Sequence, residues 1–199
     1  FVQHYKTSIH ASVEKDGLLE AAGCVDCHGN HMIQNPENPK ASTNRAKMIE
    51  TCGKCHKETV EHFKRSKHGQ ELAKGNDKAP TCTDCHGEHD IQSTLLSNDF
   101  SKLNLTEKCL SCHKNGKIPH KNFKGEEELI SGYQKSVHYL ALKNGNFDAP
   151  TCYQCHGAHE MESADSLNSK ISKKNIANTC GQVGCHVNQL KDYNGSIHE

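Results

Sequence analysis

Six times along this chain two cysteines are followed at once by a histidine, and no cysteine is left over. Cys24, Cys27 and His28; Cys52, Cys55 and His56; Cys82, Cys85 and His86; Cys109, Cys112 and His113; and Cys152, Cys155 and His156 all read Cys-x-x-Cys-His. The sixth group, Cys180, Cys185 and His186, has a wider loop in which Gly181 and Gly184 would allow a bulge. Zinc needs about four ligands per metal and gives a histidine directly after the second cysteine no role in an ordinary ribbon pair. Disulfides would leave six histidines unexplained. The pattern is the attachment signature of c-type haem, in which two thioethers grip the porphyrin and the next imidazole reaches the iron. It predicts six covalently attached haem c groups.

Composition agrees with that expectation. Of 199 residues only 33% are hydrophobic and 5% aromatic, none is Trp, and the mean hydropathy is −0.82. Ordering a backbone costs roughly 1 to 2 kcal/mol per residue, so so polar a chain needs something besides side chains in its interior. The fold class expected is mostly irregular, with short α-helices wrapped around a chain of c-type haems and little or no β-sheet. Val60 and Phe63 after His56, and Leu190 and Tyr193 after His186, mark one face of a short helix that would pack on porphyrin. Asn35 to Pro39 reads as loop. No run approaches the ~20 apolar residues of a membrane span, and Phe1 is not an initiator Met, so a removed signal peptide and a periplasmic or extracellular location are expected. No nucleic-acid partner is expected.

An internal repeat organises the motifs. Ser8 to His10, Ser66 to His68, Ser136 to His138 and Ser196 to His198 each read Ser-x-His, with Tyr5, Phe63, Tyr133 or Tyr193 three residues before the Ser. From His10, His68 and His138 the next haem motif begins 14 residues later in every case. Those motifs continue as CHGxH and so supply His31, His89 and His159. Three two-haem units result: 1–60, 61–132 with an insertion near 114–132, and 133–199.

Sixteen histidines less six proximal ligands leave ten. Seven of these recur in phase with the repeat and are the candidate distal ligands: His10, His31, His68, His89, His138, His159 and His198. His4, His62 and His120 read as solvated. Met32, Met48 and Met161 do not recur. All six irons are therefore expected to be bis-histidine, which lowers the potential relative to Met/His ligation and closes the iron to substrate. Electron transfer is expected, rather than enzyme catalysis.

Repeated CxxCH with CHGxH and an upstream Ser-x-His resembles the multihaem c-type cytochromes of anaerobic, metal-, sulfur- or nitrogen-respiring bacteria and archaea. The wide sixth motif is similar to one in tetrahaem cytochromes of sulfate reducers. The resemblance implies stacked haems that pass electrons between other redox proteins or to an extracellular acceptor. Some such proteins polymerise into extracellular filaments; others are soluble periplasmic shuttles or redox subunits of an oxidoreductase with one open haem. The CxxCK site of the related nitrite reductases is absent here.

Seven phased histidines for six irons leave one over. A head-to-tail homo-oligomer with His10 or His198 supplied in trans is the expectation, beside a monomer with one idle histidine. The 24 basic and 24 acidic side chains cancel, yet six ferric haems with ionised propionates add about −6, so the holoprotein should be acidic and should take up protons on reduction.

Overall fold

The computed structural model describes residues 1–17, 21–94, 101–114 and 126–197, apart from the side chains of 126–128. His120, His198 and most of the insertion near 114–132 lie outside that description. Thirteen short α-helices and no strand are found among the described residues. In chain order they are α1 (Val2–Lys6), α2 (Ile9–Lys15), α3 (Cys24–His28), α4 (Met48–Gly53), α5 (Lys57–Arg65), α6 (Lys67–Ala73), α7 (Cys82–His86), α8 (Lys102–His113), α9 (Glu126–Lys135), α10 (Val137–Lys143), α11 (Cys152–His156), α12 (Ile176–Cys180) and α13 (Val187–Asn194). The short-helix architecture expected from the sequence is the one found. The helix expected after His56 is α5, with Val60 buried, and that after His186 is α13. No helix is long and apolar enough to cross a membrane among the described residues.

The side-chain core is small. Seven apolar residues are buried among those described, and three of them are alanines. Several buried groups are instead hydroxyl side chains: Ser8, Ser66, Thr81, Thr106 and Thr151 are each no more than 2% exposed. The chain forms two compact units, Phe1–Lys64 with His68–Ser101, and Arg65–Lys67 with Lys102–Glu199.

The constant 14-residue step has a local cause. Ser8 caps α2 by accepting the Ala11 N–H, and Ser136 caps α10 by accepting the Tyr139 N–H, which sets each Ser-x-His histidine in the first turn of its helix. After α10 the chain reverses at Gly145, whose φ is 88°, and an Asn146 side chain closes the next turn on the Asp148 N–H. Gly75 (φ 79°) and Asn76 with the Lys78 N–H repeat that turn after α6. Pro80 or Pro150 then ends the loop one residue before the threonine that starts the haem helix.

Candidate haem sites

The first motif of each repeat is a single helical turn, α3, α7 or α11. The two cysteines stand three residues apart, so both sulfurs leave the same face, and the histidine is the last residue of the turn. Thr81 donates twice to Asp84 at the start of α7: its N–H reaches Asp84 Oδ2 at 2.6 Å and its hydroxyl the same oxygen at 2.9 Å. Thr151 does the same with Gln154, and Gly23 with Asp26 through the backbone alone. The glycine of CHG closes each turn at φ 75°, 79° and 85° (Gly29, Gly87 and Gly157), a conformation that L side chains rarely adopt.

The second motifs are less uniform. Cys52 lies near the end of α4 with Cys55 and His56 beyond it; Cys109, Cys112 and His113 all lie inside α8; Cys180 is the last residue of α12. One bond survives the difference in loop length. The His56 N–H donates to the Cys52 carbonyl at 3.0 Å, and across the wider loop the His186 N–H donates to the Cys180 carbonyl at 3.1 Å. Gly184 bends that loop at φ 86°, as the sequence suggested. Gly181 does not adopt positive φ; its missing Cβ makes room for the side chain of Leu190 on α13. Its role is close approach, which corrects the expectation of a second flexible point.

Histidine rings far apart in sequence face one another. His28 and His89 are parallel to within 2° with centroids 5.8 Å apart; His10 and His56 lie 6.2 Å apart, and His138 and His186 5.9 Å. Two metal–nitrogen bonds of about 2 Å plus the radii of two five-membered rings separate such centroids by about 6 Å. The spacing therefore fits an iron between each pair, with one proximal and one candidate distal histidine per pair. Among the described residues no group of three or more His, Cys, Asp or Glu is placed to hold a bare metal ion. The residues fit porphyrin iron: two sulfurs on one turn, an imidazole next to them, and an opposing imidazole at bis-ligation distance.

The remaining predicted histidines fall as follows. His68 occupies the first turn of α6, and His159 follows the Gly157 turn. His31 is exposed, its backbone N–H bonded to Asn30 Oδ1. His10, one of the two histidines expected to serve a neighbouring protomer, faces His56 of its own repeat. Burial and the nearby His56 hold the His10 pKa below the usual histidine value, and burial with His113 does the same for His156. Neutral imidazole is the ligating form.

Sulfurs of successive motifs also meet. The Cys52 side chain is hydrogen-bonded to Cys82, and that of Cys109 to Cys152, so a second motif touches the first motif of the following repeat. Once bonded to a vinyl carbon these sulfurs carry no proton.

Sequence reading missed three supporting groups. The Tyr5 hydroxyl donates to the Ala22 carbonyl at 3.0 Å and that of Tyr133 to the Pro150 carbonyl at 3.1 Å, each two residues before the first cysteine of its repeat. Burial pushes both phenols up to about 12, so they stay protonated donors. Their in-phase recurrence was the available signal. Phe63, at the same place, has no hydroxyl. Arg45, which bonds Asp84 Oδ2 at 2.8 Å and the Ala79 carbonyl, ties the second segment of one repeat to the haem turn of the next.

The CXXCH motifs indicate covalent haem c binding. Residues 10–61 match a family described as a doubled CXXCH motif. That match points to a multihaem c-type cytochrome-like protein with haem-binding electron transfer as its role. No solved structure matches the chain.

Proposed function

We propose that the protein carries six covalent haem c groups, each closed by two histidines, and moves electrons along them outside the cytoplasm. The observation that carries this reading is the set of three histidine pairs whose centroids stand 5.8 to 6.2 Å apart. Haem supplies one-electron redox chemistry; the polypeptide does the rest. Each cysteine pair fixes the porphyrin, the proximal histidine holds one axial position, and the opposing imidazole denies the other to water and substrate. Partners are other redox proteins or an extracellular acceptor, and the protomer joins others head to tail.

The pairs follow a rule. A Ser-x-His histidine faces the second haem of its own repeat, as His10 does His56 and His138 does His186. Of the CHGxH histidines, His89 faces His28, the proximal histidine of the first motif of the repeat before it. Intact-mass measurement of the mature chain tests the count: six porphyrin additions support the reading, and fewer than six overturn it. Low-spin ferric EPR signals from histidine-paired haems are expected alongside.

A further inference from the structure

The segment ahead of each first-motif turn presents the same carbonyls in every repeat, but different side chains meet them. Ala22, Pro80 and Pro150 stand two residues before Cys24, Cys82 and Cys152, and Ala79 and Ala149 one residue earlier still. Tyr5 donates to the Ala22 carbonyl and Tyr133 to that of Pro150. Phe63 stands where those tyrosines do and brings no hydroxyl to Pro80. Resting on the haem reading above, we infer that Arg45 is the positioning residue for the haem on His86, its guanidinium holding the segment that a phenol holds in the other repeats.

In the second and third repeats a cation meets the carbonyl one residue earlier. Arg45 donates to the Ala79 carbonyl, and Lys102 Nζ to that of Ala149 at 3.3 Å. Both cations stand seven residues before the first cysteine of a second motif, Cys52 or Cys109. Recurrence in that phase makes the contact a part of the repeat rather than an accident of the surface. Ala79 and Ala149 are both buried, and water poorly replaces a donor lost from a buried carbonyl.

The third repeat thus has two anchors on this segment, Tyr133 and Lys102, where the second has Arg45. Arg45 answers with a second bond. Its other terminal nitrogen donates to Asp84 Oδ2 at 2.8 Å, the oxygen that also accepts from the Thr81 N–H and hydroxyl at the start of α7. One guanidinium therefore spans the approach segment and the turn that carries Cys82, Cys85 and His86, which its planar fork allows and a lysine ammonium does not. In the third repeat the residue equivalent to Asp84 is Gln154, which carries no charge, and the cation there is a lysine. Slack in the approach segment would let α7 turn and rotate the His86 imidazole.

The test uses the haem-loaded chain and low-spin ferric EPR, whose g-values follow the imidazole planes at each iron, with thermal melting in parallel. Arg45→Met should shift one of the six signals and leave five in place. Phe63→Tyr alone should match wild type, and added to Arg45→Met it should bring the shifted signal back by giving Pro80 the phenol that its counterparts have. Lys102→Met should leave all six signals unmoved while Tyr133 is present, and should shift one when combined with Tyr133→Phe. Six unchanged signals in Arg45→Met would overturn the inference, as would a shift that Phe63→Tyr does not reverse, or a lowered Tm with all six signals moved together. A count below six haems by mass would instead sink the haem reading itself.

Discussion

The first haem motif of each repeat and the second are held in opposite ways. α3, α7 and α11 are one object made three times, a free-standing turn capped in front by Thr or Gly and stopped behind by a positive-φ glycine. The second motifs begin near the end of a helix, inside one, or at its last residue, and one even lengthens its loop. A free turn of five residues has no helix to lean on, since so short a segment is unstable alone, and every cap must be present. The second motifs sit in or just beyond helices of five to twelve residues, and His56 and His186 keep their N–H on the first cysteine carbonyl. Uniformity therefore marks the sites where local structure is weakest.

That contrast can be broken at several levels. The largest effect is expected at the ligands: His89→Ala should open the first-motif haem on His28, and His10→Ala the second-motif haem on His56, each giving a new high-spin, carbon monoxide-binding signal in the absorption spectrum. A first-motif signal that survives in His89→Ala unchanged would refute the pairing across repeats. Next, Gly87→Ala should cost about 1 to 2 kcal/mol, because its φ of 79° is disfavoured for alanine and the Cβ would crowd Asp90. Gly53→Ala in the second-motif helix α4 meets only the Val60 side chain at 3.4 Å and should cost nothing or gain up to about 1 kcal/mol. Denaturant melts of the two variants compare the frames directly. Thr81→Ala removes a buried hydroxyl that donates to the Asp84 carboxylate at a first motif and should cost about 1.5 kcal/mol. Thr51→Ala removes only a hydroxyl bond to the Ser42 carbonyl and should cost about 1 kcal/mol.

The smallest effect is expected from pH. His10 has a pKa held below the ordinary value of about 6.5, so the folded chain binds its proton less readily than the unfolded one. The corresponding stability is present above about pH 6.5 and is lost as pH falls through the lowered pKa. Ligation acts in the same direction. The His10 variant should show a shallower acid limb in its melting profile than wild type.

Much of this was legible before any coordinates. The six motifs, the phase of Ser-x-His and CHGxH, and the thin core all follow from spacing and composition, because each depends on residues close together in the chain. What spacing did not show is which imidazole meets which. His28 and His89 are 61 positions apart, and a periodic sequence specifies register within a repeat, not the partner across repeats. The same limit hid Arg45, whose contacts reach 34 and 39 positions away. The hydroxyls of Tyr5 and Tyr133 were seen as aromatic markers alone, and the job of Gly181 depends on Leu190, which only tertiary packing brings to it.

The sulfur contacts between motifs have a bearing on wiring. Where Cys52 meets Cys82, and where Cys109 meets Cys152, the rims of two neighbouring prosthetic groups would hang on sulfurs that already touch. The gap an electron must tunnel through there would then follow from how closely two short cysteine-bearing segments of backbone approach, a spacing that a substitution elsewhere in so polar a chain would move little.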